Sequence, residues 1–323
     1  MPTIKKGSDH FQVVTGTGAN ILTTAQNVFP GNYLIWIKDR ANANNHQLID
    51  TVRGASAVLQ SNTTAAETTY AAPAGSSVGW AWKLGGAAVA NNAGSIASQV
   101  SANTLAGVSV VTYTGTGANA TVGHGLGVAP KMIITKSRAA VTDWGVYHAS
   151  MDASPQNGLM ILSSTNAYTV DATAYNNTAP NSSVVSVGTS SRTNNSGNML
   201  MLSFAEIAGF SKFGKYPGNG SSDGPFVYCG FRPRLVIVKC SSNAGSNWFV
   251  IDSARGSYNV DNARLYVNDA GAEVADADRQ LDLLSNGFKV RHYNASNGDC
   301  NINGYTYIFA AFAELPFNYA NAR

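Results

Sequence analysis

The sequence is poor in charge: only 12% of its 323 residues are Asp, Glu, Lys or Arg, about half the usual share of a soluble domain. Cysteine is scarcer still. Cys229, Cys240 and Cys300 are too few and too widely spaced for a disulfide framework, and they lack the paired spacing of a zinc site. They read as free thiols of a protein made in a reducing cytosol. No apolar run approaches the roughly 20 residues needed to cross a bilayer, so membrane insertion is not expected. Met1 to Asn20 contains no apolar core, so a signal peptide is not expected either. Leu, Glu, Lys and Arg are sparse, which argues against long amphipathic helices. The net charge of +3 comes from scattered basic residues, of which only Lys5 and Lys6 are adjacent. Nucleic acid as a partner would need a basic stripe.

What is present instead is 44% hydrophobic residues, 32 Gly, and a polar complement of Asn, Ser and Thr. Thr and Val suit the pleat of a strand, while Gly and Asn tolerate the positive φ of tight turns. The expected class is all-β. At this length two or three domains are expected.

The chain repeats itself. Tyr33 to Lys38, Lys131 to Lys136 and Arg234 to Lys239 are apolar runs ending in lysine. A proline precedes each, at Pro30, Pro130 and Pro233. Each is followed by a polar loop and a second short strand: His46 to Asp50, Trp144 to His148, and Trp248 to Asp252. The distance from the lysine to the end of that strand is twelve, twelve and thirteen residues, and the lysines themselves lie 98 and 103 residues apart. Gly16-Thr17-Gly18-Ala19-Asn20 recurs as Gly115 to Asn119, and Phe204-Ala205-Glu206 recurs as Phe312-Ala313-Glu314. A period near 100 residues suits one β-sandwich. The expectation is therefore three tandem β-sandwich repeats, jelly-roll or lectin-like, at 1–98, 99–210 and 211–323. The first is shortened in its second half and suited to docking. Ala87 to Ala102 reads as the linker after it, and Ala272 to Leu284 as a helical turn or two.

Catalytic chemistry is thin. The five histidines show no ligand spacing, so neither a metal nor another cofactor is expected. Glu206 and Glu314 could suggest the carboxylate pair of a polysaccharide-cleaving enzyme, but they belong to different repeats and read better as strand ends or partners of lysine. His124-Gly125-Leu126-Gly127 precedes a strand rather than a helix, which favours a turn over a phosphate loop. The binding candidates are Trp144 and Trp248, which begin the second strand, with His46 and His148 around it. Tryptophan faces stack on sugar rings; against that, a tryptophan at a repeated strand position is ordinarily core.

Several motifs carry a resemblance. They are Val110 to Gly117, His124 to Pro130, Gly209 to Gly214, Asp223 to Tyr228, Gly230 to Pro233 and Phe312 to Phe317. With these, the sequence resembles repeat-containing tail or fibre-like structural proteins of tailed, often marine, bacteriophages. The resemblance covers most of the chain beyond about residue 30. It implies a place in the virion tail, assembly in the host cytoplasm, other tail proteins as partners, and no catalytic residues. The function expected is a non-enzymatic tail fibre or tip component attaching to a host-surface glycan, working as a homo-oligomer, with a trimer as the guess. The alternatives are a purely architectural neck, collar or adaptor protein, and a surface-polysaccharide depolymerase.

Overall fold

The apolar run before each repeated lysine is a central strand, because alternate residues can face two separate cores. In the first run, Leu34 and Trp36 join one core while Tyr33, Ile35 and Ile37 join another. The computed structural model describes residues 4–256, 258–275, 279–291 and 299–313. Strand makes up 43% of it and helix 8%, so the chain is all-β.

The first sheet contains β1 (Phe11–Thr17), β2 (Tyr33–Asp39), β3 (Gln47–Asp50), β4 (Gly54–Leu59), β5 (Thr68–Thr69) and β6 (Ser76–Lys83), in the order β1-β6-β2-β3-β4-β5. Next come β7 (Val89–Asn91), β8 (Ser98–Asn103), β9 (Val108–Gly115), β10 (Ala120–Gly123), β11 (Met132–Ser137) and β12 (Gly145–His148). They are followed by β13 (Gly158–Ile161), β14 (Thr169–Val170), β15 (Val184–Val187) and β16 (Gly197–Phe204). The second sheet has the order β14-β13-β12-β11-β16-β9-β8-β7, and β10 pairs with β15 apart from it. The last strands are β17 (Ser211–Pro217), β18 (Phe226–Tyr228), β19 (Pro233–Cys240), β20 (Phe249–Asp252) and β21 (Ala263–Tyr266). After them come β22 (Val274–Ala275), β23 (Leu281–Leu284), β24 (Gly287–Val290) and β25 (Thr306–Ala313). The third sheet runs β17-β25-β19-β20-β21-β22, beside a small sheet β18-β24-β23.

A common six-strand order therefore occurs three times, and the ladders agree in register. Leu34, Met132 and Leu235 face Asp50, His148 and Asp252 on one side. On the other side they face Trp82, Phe204 and Phe312. Those three rings touch one another, with centroids 5.9, 5.4 and 5.9 Å apart, and Phe11 packs on two of them. Below this triangle lie Trp80, Leu202 and Ala310, then Val78, Leu200 and Ile308, all buried. The sheets thus face inward around one axis, like the sides of a prism, and share a core.

The outer faces are covered differently. Phe288 of β24 packs on Tyr216 and Phe309 of the third sheet, and Tyr175 packs on Tyr147 of the second. Tyr175 ends the short helix α2 (Ala172–Tyr175). In the first repeat, helix α1 (Gly18–Val28) takes the place of a small sheet, burying Ile21 and Ala25 against Ile35, Ile37, Ile49 and Val58. Its start needs glycine, since a Cβ on Gly18 would stand 1.8 Å from the Pro73 carbonyl oxygen. The outer cover of the first sheet is thus a helix, where the other two sheets carry strands or a short helix.

Three local expectations also change. Ala87 to Ala102 carries β7 and most of β8, which widen the second sheet, so it is not a linker. Ala272 to Leu284 carries strands β22 and β23 instead of helix, with 276–278 outside the described residues. Gly16 to Asn20 enters α1, whereas Gly115 to Asn119 ends a strand and bends with Gly117 at φ 69°. His124 to Gly127 is a turn as expected, with Gly125 and Gly127 at φ 72° and 75°. No disulfide joins the cysteines.

Candidate functional site

Each sheet closes on the next through its second short strand. The residue before that strand is His46, Trp144 or Trp248, and each sends a ring N–H to a neighbouring sheet. Trp144 Nε1 donates to the Gln60 carbonyl at 2.9 Å. Trp248 Nε1 donates to Ile161 O at 2.9 Å. His46 Nδ1 accepts from Trp36 Nε1 at 3.0 Å, so its proton sits on Nε2 and points to Tyr266 O at 2.9 Å. Gln60, Ile161 and Tyr266 all lie two residues beyond matching ladder positions, since Val58, Leu159 and Arg264 pair with Thr68, Thr169 and Val274. The first sheet grips the third, the second grips the first, and the third grips the second.

This places the four expected binding residues. Trp144, Trp248, His46 and His148 are 0%, 1%, 0% and 1% exposed, so no ring face is open to a ligand. Their polar tips tie sheets together, and the ligand-contact reading is corrected to a structural one. His46 stands with the tryptophans; His148 stands with Asp50 and Asp252. His148 Nδ1 accepts from Ser150 N at 3.1 Å and its Nε2 faces Phe309 O of the third sheet at 3.1 Å. Burial pushes both histidines down, His46 to about 3 with help from the Lys38 charge, and His148 to about 4.

Around the same joints run chains of charge. Asp50 binds Arg53 at 2.5 Å, Arg53 binds Glu67 at 2.9 Å, and Glu67 holds Arg138 of the second sheet in two bonds of 2.9 and 2.7 Å. The third sheet repeats this toward the first: Asp252, Arg255, Glu273 and Arg40, at 2.6, 3.0, 2.8 and 2.6 Å. Burial pushes the Glu67 and Glu273 carboxyls up, but their arginine partners outweigh it and hold both below the usual range. A backbone bond closes each joint: Glu67 N to Arg138 O, Glu273 N to Arg40 O, and Tyr168 N to Ser241 O. At the second–third joint the corresponding residues are His148, Met151, Tyr168 and Ser241. The charge chain has been exchanged there as a unit for uncharged side chains.

Lys38, Lys136 and Lys239 are wholly buried. Each is lowered to about 8 by burial and donates to loop carbonyls, among them Asn42 O, Ala140 O and Ser246 O. Lys239 also reaches Thr165 O of the second repeat at 3.0 Å. The lysines bind loops, not ligands. Glu206 is held by Lys212 at 2.8 Å and by Phe213 N at 3.1 Å, which fits its reading as a strand end; Glu314 lies outside the described residues. No group of three or more His, Cys, Asp or Glu among the described residues could hold a metal.

Two open grooves follow the joints. One, of about 190 Å³, runs along Gln99, Thr112, Arg138 and Asn198. The other, of about 390 Å³, lies at the second–third joint between Asp152, Tyr168, Lys215 and Thr306. Sequence reasoning missed both: the smaller is lined by strands of the second sheet and Arg138, and the larger is assembled from two repeats. The signal that could have revealed the larger is the loss of Arg and Glu at Ser241 and Tyr168.

Comparison with known proteins finds no match among curated proteins or among solved structures. One family, described as a domain of unknown function (DUF7483), matches residues 6–75 and 70–316. The match spans nearly the whole chain, which therefore belongs to that family.

Proposed function

We propose that the chain is a non-catalytic structural protein of a tailed-phage virion, located in the tail and contributing to attachment through host-surface glycan. The supporting observation is the body itself: three sheets locked around one core by buried joints, with a polar groove open at the one joint that lacks charge. Such a body resists deformation and presents a fixed surface, as an attachment protein requires. The sequence motifs resembling tail and fibre proteins favour the virion setting. Shallow contacts of this kind gain from repetition in a homo-oligomer, here a trimer. The test is binding of labelled, folded protein to intact host cells before and after removal of surface polysaccharide. Saturable binding lost on stripping supports attachment, and absence of binding overturns it.

One observation favours the architectural alternative. Phe226 and Tyr228 are 46% and 64% exposed on one face of the edge strand β18. Exposed aromatics on an unpaired strand edge suit another virion protein. If Phe226→Ser with Tyr228→Ser removes the protein from assembled particles while cell binding persists, this edge serves docking. The depolymerase alternative needs two carboxylates converging about 5–10 Å apart, and Glu206 is already committed to Lys212.

A further inference from the structure

The three joints are built alike, so a departure at one of them carries information. At the first–second joint Arg138 and Glu67 occupy the crossing, and the groove beside them is the smaller one. At the second–third joint Ser241 and Tyr168 take those places. The groove opens to about 390 Å³, within the range of small-ligand sites. The larger groove thus lies at the joint from which the charges are gone, and both of its sheets contribute to its lining.

Its lining is specific in chemistry. Six side chains matter: Ser150, Asp152, Tyr168, Lys215, Ser242 and Thr306. Asp152 Oδ1 accepts from Ser154 N at 2.9 Å, and Oδ2 has no hydrogen-bond partner among the described residues. Ser242 Oγ accepts from Thr306 N at 2.9 Å and lies 3.9 Å from Cys240 Sγ, where either group can donate. Tyr168 is partly exposed and its hydroxyl makes a long bond of 3.3 Å to Ser154 O. Lys215 is exposed and forms no ion pair among the described residues. One carboxylate and one ammonium balance, so the groove favours neither a strong anion nor a strong cation. A free carboxylate oxygen and several hydroxyls suit a ligand that donates and accepts along one edge. An aromatic wall suits its C–H face.

We propose that this groove is a saccharide-binding site, in which Asp152 accepts from ligand hydroxyls, Ser242 and Thr306 complete the polar edge, and Tyr168 packs against the sugar ring. The inference rests on the attachment reading and names its site. The groove contributes one carboxylate, so it holds a glycan without the paired acids that would cleave it.

The experiment uses the full chain and an immobilised panel of di- to tetrasaccharides of glucose, galactose, N-acetylglucosamine and glucuronic acid. At least one should bind saturably. Asp152→Asn and Tyr168→Ala should each weaken binding by about tenfold, the loss of one good hydrogen bond or contact. Tyr168→Glu with Ser241→Arg copies the filled joints elsewhere in the molecule, so it should fold normally and lose binding altogether. Gln99→Ala, in the smaller groove, should leave binding unchanged. Failure of every saccharide to bind, or unchanged binding in the three groove variants, overturns the site. Cell binding that Asp152→Asn leaves intact overturns the groove but spares the attachment reading. Saccharide binding lost in Asp152→Asn, without any cell binding, sustains the groove and removes attachment.

Discussion

At the scale of single residues, the two joint histidines act as neutral hydrogen-bond brackets. A charged imidazole at either place would put a second proton where Nδ1 accepts, from Trp36 at His46 and from Ser150 N at His148. Both have folded values below the ordinary 6.5, at about 3 and about 4. Below pH 6.5 the unfolded chain therefore takes up protons that the folded chain refuses, and stability falls with pH. The slope is about 1.4 kcal/mol per pH unit for each histidine, or roughly 4 kcal/mol for the pair between pH 6.5 and 5. Asp261 works the other way, because burial raises its carboxyl to about 6 and protonation below that favours the folded form. Urea midpoints of the wild type and of His46→Gln with His148→Gln, measured at pH 7 and 5, separate the two. The double variant should be weaker at pH 7 and lose much less on acidification. Equal slopes would mean that the histidines titrate freely in the folded chain.

At the scale of elements, what the sequence showed and what it hid have clear physical reasons. Strand positions were legible because each repeated run is β-branched and apolar and ends at a lysine. The spacing from that lysine also held the true alignment of the joint. His46, Trp144 and Trp248 follow it by eight, eight and nine residues, which matches His46 with the tryptophans rather than with His148. Helix α1 was not legible. Its Gly, Asn and Thr content reads as turn, and no side chain caps its start. It is helical because the outer face of β1, β6 and β2 needs cover and Ile21 and Ala25, four apart, supply it. The groove was hidden for another reason, since Asp152 and Lys215 meet only once two sheets have packed. If tertiary cover is what makes α1 a helix, Ile21→Ala should cost about 2–4 kcal/mol. Far-UV circular dichroism should show little change until the variant unfolds. A loss near zero would mean the helix is dispensable to the first sheet.

At the scale of the whole molecule, the shared core separates two kinds of repeat protein. Three sandwiches on linkers would melt as separable units, each with its own core. Here Trp82, Phe204 and Phe312 come from three different repeats and touch one another, so no sheet completes its inner face alone. The chain should then unfold in one calorimetric transition, with van't Hoff and calorimetric enthalpies agreeing. Trp82→Ala should lower that single transition by about 3–5 kcal/mol instead of splitting off a peak for the first sheet. Trp82→Phe is the sharper comparison. The Trp82 indole N–H is buried with no acceptor among the described residues, while both matching positions carry phenylalanine. Losing that N–H relieves a penalty of about 1–3 kcal/mol, which offsets the smaller ring, so the variant should stay within about 1 kcal/mol of wild type. Residues 1–210 alone would leave Trp82 and Phe204 facing water where Phe312 had been, and should bind an apolar dye and melt without a sharp transition. A fragment that instead melts cooperatively at the temperature of the whole chain would show that the triangle is contact without coupling, and that the three sheets are neighbours rather than one folding unit.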